Sequence, residues 1–202
     1  GTLTLDDLRL LLEQPSVEAV AQSLIKFGYG ATLLPLVEQF ARSRDVFPLH
    51  LALEQEYYRR CLEAARFFQG DEWIIRQFLA SEIDARNALL MLKGKALGLP
   101  SDRVLGHWVD GGALGRAAAE DLLTAASVPA LAERLATQYP SLPIFAELYQ
   151  TTESLTVFEG AIRRDRAKGE LQRLRAYPLS IGVIFTYICQ AELEWNDLRQ
   201  IG

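Results

Sequence analysis

In Ile75-Arg76-Gln77-Phe78-Leu79-Ala80-Ser81-Glu82-Ile83-Asp84-Ala85-Arg86-Asn87, the apolar residues recur at three- and four-residue steps. That spacing predicts a helix packed along one stripe. Glu82 and Arg86 fall within the stripe at i,i+4, where a solvated pair would not be placed, so an internal Glu–Arg pair is expected. The same pattern returns near the other end of the chain. Ile75, Phe78, Leu79, Glu82, Ile83 and Asp84 fall on Phe185, Ile188, Cys189, Glu192, Leu193 and Glu194. There Asn196 replaces the arginine, so Glu192 is expected either to find a cation elsewhere, with Arg175 and Arg199 as candidates, or to be less buried than Glu82, since a lone buried carboxylate is costly.

Outward from these two segments the pattern stays helical. Thr4 and Asp7 have capping-box spacing, Pro15-Ser16 opens a second helix, and Gly28-Tyr29-Gly30 closes it. Further helices are expected from near Thr32, over 50–68, and over 72–93 with Asp71 as N-cap. Others follow over 116–126, 129–137, 144–154 and 157–175, and one from Tyr177-Pro178 to Ile201 with Pro178 in its first turn. No alternating apolar run suggests a strand, so the fold class is all-α. Between Gly94 and Gly115 the density of Gly and Pro rises, which marks a boundary. Two similar helical domains are therefore expected, 1–100 and 101–202; the period is too long for the short helical repeat families.

Composition excludes several classes of function. The 202 residues are 50% apolar and 23% charged, as in ordinary globular proteins. With 21 basic against 26 acidic residues, the net charge of −5 suits no phosphate-backbone binder, so no nucleic-acid partner is expected. Cys61 and Cys189 form neither a CxxC nor a plausible disulfide framework; they read as small core side chains in a reducing compartment. The most apolar stretch, 179–191, carries Ser180, Gly182, Thr186 and Gln190 and is too short to span a bilayer. Gly1-Thr2-Leu3-Thr4 has no leader pattern and no Met, so a trimmed start is expected.

Chemical motifs are sparse. His50 and His107 lack a Glu three residues earlier, so the di-metal bundle pattern is missing. Asp6-Asp7 reads as a helix cap. Gly94-Lys95 is not a phosphate loop, and no nucleophile elbow is present. Gly111-Gly112 reads as a tight turn in preference to an anion nest. Arg163, Arg164, Arg166 and Lys168 read as a solvated helix face, the alternative being a contact with an acidic partner or lipid headgroups. A carboxylate site at Glu82 and Glu192 would be the basis of an enzyme; pairing with arginine argues for a structural role instead. No catalytic residue, cofactor or metal is expected.

Taken in order, Tyr57-Tyr58, Glu82-Ile83-Asp84 with Arg86-Asn87, Lys95 to Pro100, Gly111-Gly112-Ala113-Leu114, Pro178 to Gly182, and Glu192-Leu193-Glu194 resemble a known family pattern. The chain is similar to the C subunit of the archaeal and bacterial A/V-type rotary ATPases, called the d subunit in the eukaryotic vacuolar enzyme. Asn196-Asp197 and Gln190-Ala191 depart from the terminal signature, while Leu198, Arg199 and Ile201 continue it. The resemblance implies three similar helical domains arranged as a funnel, of which this chain would hold the second and third. It implies a non-catalytic central-stalk component, peripheral to the membrane on its cytoplasmic face. Its partners would be the central shaft subunits and the membrane proteolipid ring, and its role the coupling of ATP turnover to proton or sodium transport. The alternatives are a free-standing helical interaction scaffold or, less favoured, the carboxylate enzyme.

Overall fold

The computed structural model describes residues 3–201, with the side chains at 196, 197 and 199–201 outside that description. Among the described residues it contains eleven α-helices and one 3-10 turn, and no strand. The helices are α1 (Leu5–Leu12), α2 (Val17–Ser23), α3 (Gly30–Ser43), α4 (Phe47–Ala65), α5 (Glu72–Ala96), α6 (Ser101–Leu105), α7 (Arg116–Leu123), α8 (Val128–Leu135), α9 (Leu142–Thr152), α10 (Thr156–Leu174) and α11 (Gly182–Ile201). Two compact units are formed, Gly1–Cys61 and Leu62–Gly202. The Gly- and Pro-rich stretch 94–115 lies inside the second unit, where it carries the short helix α6.

In the first unit, α1 begins with a complete capping box. Thr4 Oγ1 accepts from the Asp7 backbone N–H at 3.2 Å, and the Asp7 carboxylate accepts from Thr4 N at 3.0 Å. The Thr4 hydroxyl, which donates to the Asp7 carboxylate at 2.6 Å, and after it the Thr4 backbone N–H hold the Asp7 carboxyl at about 2. Ser16 caps α2 by accepting from Ala19 N. Ala21, Leu24, Phe27, Leu33 and Leu49 make the core. Arg60 closes the turn after α2: its guanidinium donates to the carbonyls of Phe27 and Gly28 and lies 4.0 Å over the Tyr29 ring. Glu56 in turn accepts from Arg59 and Arg60, each at 2.7 Å.

The second unit is built around α5. Its buried face, Ala85, Ala88, Met91 and Leu92, meets Val104 and Leu105 of α6, Ala119 and Leu123 of α7, Leu131 and Leu135 of α8, and Phe158 and Ile162 of α10. Each such large apolar side chain contributes about 1.5–3 kcal/mol. Gly94 lets α6 approach closely, since a Cβ there would lie 2.4 Å from Val104 Cγ2. A smaller cluster, Phe78, Ala167 and Cys189, joins α5, α10 and α11.

Two expected helix starts are corrected. Asp71 precedes α5, but its side chain makes no capping bond there; it accepts instead from the Ile181 backbone N–H at 2.8 Å. The last helix begins at Gly182, so Pro178 sits in the turn before it and not in its first turn.

The elements also recur in order. α1 and α7 start at Leu5 and Arg116, α2 and α8 at Val17 and Val128, α3 and α9 at Gly30 and Leu142, α4 and α10 at Phe47 and Thr156, α5 and α11 at Glu72 and Gly182. Ser16 and Ser127 cap α2 and α8 with the same side-chain bond. Arg44 and Glu153 end α3 and α9 in the same left-handed conformation.

Candidate functional site

The residues of the Glu-Ile-Asp-x-x-Asn segment divide into two sets, one buried and one at the surface. Asp84 and Asn87, one turn apart on α5, are almost completely buried. Both are spent on the loop that returns after α6. Asn87 Nδ2 donates to the Val109 carbonyl at 2.8 Å, and Asn87 Oδ1 accepts from Val109 N at 3.2 Å. The Asp84 carboxylate accepts from Ala113 N at 3.0 Å and Leu114 N at 2.9 Å. The backbone amides of the Gly-Gly turn thus receive an anion, and it is the chain's own carboxylate. Gly111 has φ +108°, and a Cβ on Gly112 would lie 2.1 Å from Asp84 Oδ1, so the turn requires glycine at both places. Arg86 donates to the His107 carbonyl and to Asn87 Oδ1, and so belongs to the same loop anchor.

Glu82 belongs to the other set. Arg166 of α10 lies between the two glutamates that occupy matching places in α5 and α11. Its Nη1 is 3.8 Å from Glu82 Oε2, and its Nη2 donates to Glu192 Oε2 at 3.2 Å. The Arg166 side chain is only 8% exposed, whereas the glutamates are 44% and 42% exposed. Its guanidinium also sits 5.4 Å over the Phe78 ring. With Arg163 and Trp195 these groups line a pocket of about 220 Å³.

Several expectations are corrected here. The cation for Glu192 is Arg166, not Arg175; Arg199 lies outside the described side chains, as do Asn196 and Asp197. Glu194, the counterpart of Asp84, is exposed and anchors no described loop. Arg166, grouped by sequence with a solvated basic face, is turned inward, whereas Arg163 and Lys168 are exposed and Arg164 half-buried. A sequence signal for Arg166 exists: Phe158, Ile162, Arg166, Glu170 and Leu174 form a four-residue stride along α10, and the other four are buried.

α10 is tied to α5 by a ladder of polar contacts along its length. Lys93 meets Glu159 at 2.6 Å, Arg166 meets Glu82, and Arg173 donates to Gln77. The pairing order, rising on one helix and falling on the other, makes the two helices antiparallel. Asp165, which sequence alone did not single out, accepts from Ser141 N and Oγ at 2.8 and 2.6 Å and so caps α9.

Chemically the site is quiet. The two glutamates share the one guanidinium of Arg166. Burial pushes the Cys189 thiol up to about 11 and moves the Tyr139 hydroxyl well above its ordinary value, so neither is a ready nucleophile. Among the described residues no three His, Cys, Asp or Glu side chains converge on a metal-sized site. Among them also, no helix is long and apolar enough to cross a membrane.

A helical chain whose signature polar residues are consumed in holding helices and loops together has the character of a framework. Residues 1–202 match the family described as ATP synthase (C/AC39) subunit, and the chain belongs to that family. It is 32% identical over 201 residues to the C subunit of the A-type ATP synthase of Thermoplasma acidophilum, covering 100% of this chain and 56% of that protein. The corresponding protein of Thermoplasma volcanium is 30% identical with the same coverage. That of Pyrococcus horikoshii is 29% identical over 172 residues, 83% of this chain and 46% of that one. The chain therefore spans about half the length of the curated relatives it matches. No solved structure matches it.

Proposed function

We infer that this chain acts as a non-catalytic coupling element of an A-type rotary ATP synthase, standing between the central shaft and the membrane proteolipid ring on the cytoplasmic face. Membership of the family carries this reading. The way the signature residues are used supports it. Asp84, Asn87, Arg86, Glu82 and Glu192 are all committed to internal contacts that lock α5, α10, α11 and the 107–114 loop. An element that transmits torque must resist shear between its helices, and polar contacts at three levels of the α5–α10 pair, partly open to solvent, act beside the packed apolar core to supply that resistance. Within this reading the chain is two copies of one helical repeat, 1–100 and 101–202, and the matching helix starts support it. Arg163, which lines the pocket, and Lys168, both exposed on α10, are the first candidates for contact with an acidic partner surface. The transported ion, proton or sodium, is selected in the ring and not here.

The test is co-elution of the purified chain with detergent-solubilised membrane sector and, separately, with the assembled shaft subunits. Binding to one of them, with no ATP hydrolysis by the chain alone, is the expected result. A folded chain that binds neither, in a mixture where a full-length family member binds both, overturns the reading.

A further inference from the structure

The turns that follow α4 and α10 stand at matching places in the recurrence of helices, and they expose the same kinds of residue. The first reads Arg66-Phe67-Phe68-Gln69-Gly70 and the second Arg175-Ala176-Tyr177-Pro178-Leu179, all of them exposed. Neither run contains an acid, although acidic residues outnumber basic ones in the whole chain. Each begins with an arginine, and neither guanidinium enters an ion pair among the described residues. Phe67 is 84% exposed and Leu179 completely so, while Phe68, Trp73 and Tyr177 add further exposed rings. The two turns lie side by side. Asp71 N donates to the Phe68 carbonyl at 3.1 Å, its carboxylate accepts from Ile181 N, and Trp73 touches Tyr177. Both turns belong to the second unit and lie away from the ends of the sequence.

Aromatic rings beside arginines on protruding turns suit a lipid–water interface. Rings of Trp and Tyr lodge at the headgroup level, and basic side chains are drawn to anionic headgroups. We propose that the 66–70 and 175–179 turns together dip into the headgroup layer of an anionic bilayer, with Phe67 and Leu179 deepest. Charge complementarity selects this occupant, because the turns carry only positive charge on a chain whose net charge is −5. Exposure agrees with it: Phe67 and Leu179 project from turns instead of lining a groove, and a fluid surface needs no matching shape. The contact is shallow and reversible, since a few apolar side chains and two cations fall short of a stable anchor. The proposal rests on the reading above for its setting at a membrane. Its test contains no ATP synthase subunit besides this chain, so the two readings fail separately.

The experiment is co-sedimentation with vesicles of phosphatidylcholine alone and of equal parts phosphatidylcholine and phosphatidylglycerol. Three double variants accompany the wild type: Phe67→Ser with Leu179→Ser, Arg66→Gln with Arg175→Gln, and, away from the turns, Arg103→Gln with Arg116→Gln. All these positions are exposed, and circular dichroism verifies that each variant keeps its helix content. The wild type is expected to bind the anionic vesicles, and the neutral ones at least about tenfold more weakly. Loss of both turn arginines should lower binding to the anionic vesicles about thirtyfold, and loss of Phe67 and Leu179 about tenfold or more. The third variant should stay within about twofold of the wild type, its charges being held away from the surface. A wild type that leaves the anionic vesicles in the pellet unbound overturns the proposal. So do turn variants that bind as the wild type does, or an equal loss in the third variant. If the wild type ignores vesicles while the turn variants lose co-elution with the solubilised membrane sector, the turns meet protein and the proposal is overturned.

Discussion

The carboxylate of Asp71 accepts the backbone N–H of Ile181 at 2.8 Å, joining the residue before α5 to the residue before α11. Beside that bond, Trp73 and Tyr177 meet edge to face at 4.7 Å. The entrances to two helices that share a sequence pattern are thus held side by side by a bond from side chain to backbone. Asp71→Ala should lower stability by about 1–2 kcal/mol, the cost of leaving a half-buried donor unpaired. Asp71→Asn, which retains an acceptor oxygen, should lose less. Urea unfolding of both variants checks the order.

Gly112 should tolerate no side chain. A Cβ would lie 2.1 Å from Asp84 Oδ1, so Gly112→Ala must displace either the buried carboxylate or the 109–114 turn. A loss of about 1–3 kcal/mol is expected, against less than about 0.5 kcal/mol for Gly115→Ala, whose Cβ meets nothing. Paired thermal denaturation curves suffice, and equal losses at the two sites would contradict the description of the loop.

Removing Arg166 should cost more than removing either partner. Arg166→Met leaves Glu82 and Glu192 facing one pocket without their cation. Because both carboxylates are about two-fifths exposed, the loss should be about 1–3 kcal/mol, below that of a fully buried pair. Glu82→Gln and Glu192→Gln singly should each lose under about 1 kcal/mol. A double-mutant cycle of Arg166→Met with Glu192→Gln should give a coupling energy clearly different from zero.

Acid should weaken the first unit through Glu56. The guanidinium of Arg59, and after it that of Arg60, both hydrogen-bonded to it, hold its carboxyl at about 2 where 4.5 is ordinary. A carboxyl depressed in the folded state contributes its full stability above pH 4.5 and loses that contribution as pH falls toward 2. The slope of stability against pH across this window should therefore be shallower in Glu56→Gln than in the wild type, as read from denaturation midpoints at several pH values.

The two cysteines should differ in reactivity. Cys61 is half-buried, whereas Cys189 is enclosed among Phe78 and Ala167, and burial raises its thiol to about 11. A thiol-specific reagent near neutral pH should label Cys61 at once and Cys189 only when denaturant opens the α5–α10–α11 cluster. Equal labelling rates in the native state would refute that enclosure.

Periodicity and turn residues are enough for the all-helical class and for most helix positions, because each depends on contacts three or four residues apart. The matching of Ile75–Asp84 with Phe185–Glu194 is legible for the same reason, and the family pattern identifies the chain correctly. Partner choice is not legible in this way. Glu82 and Arg86 have the spacing of an i,i+4 pair, yet the cation that meets both Glu82 and Glu192 is Arg166, far away in sequence, and Arg86 reaches the His107 carbonyl. Asp71 has the position of an N-cap because it precedes a helix, but whether its carboxylate turns to its own helix or to Ile181 depends on where α11 begins.

By itself, then, the sequence determined the helices, their order and the recurrence of one helical pattern, since local hydrogen bonding and a stripe of apolar residues leave little alternative. Only the tertiary structure decided what each polar side chain serves. Asp84 and Glu194 stand at the same place in that pattern, but one is buried under Ala113 and Leu114 while the other reaches solvent. The physical reason is that the free energy of a carboxylate is set by which donors replace its water. Those donors arrive from segments whose position no local rule encodes.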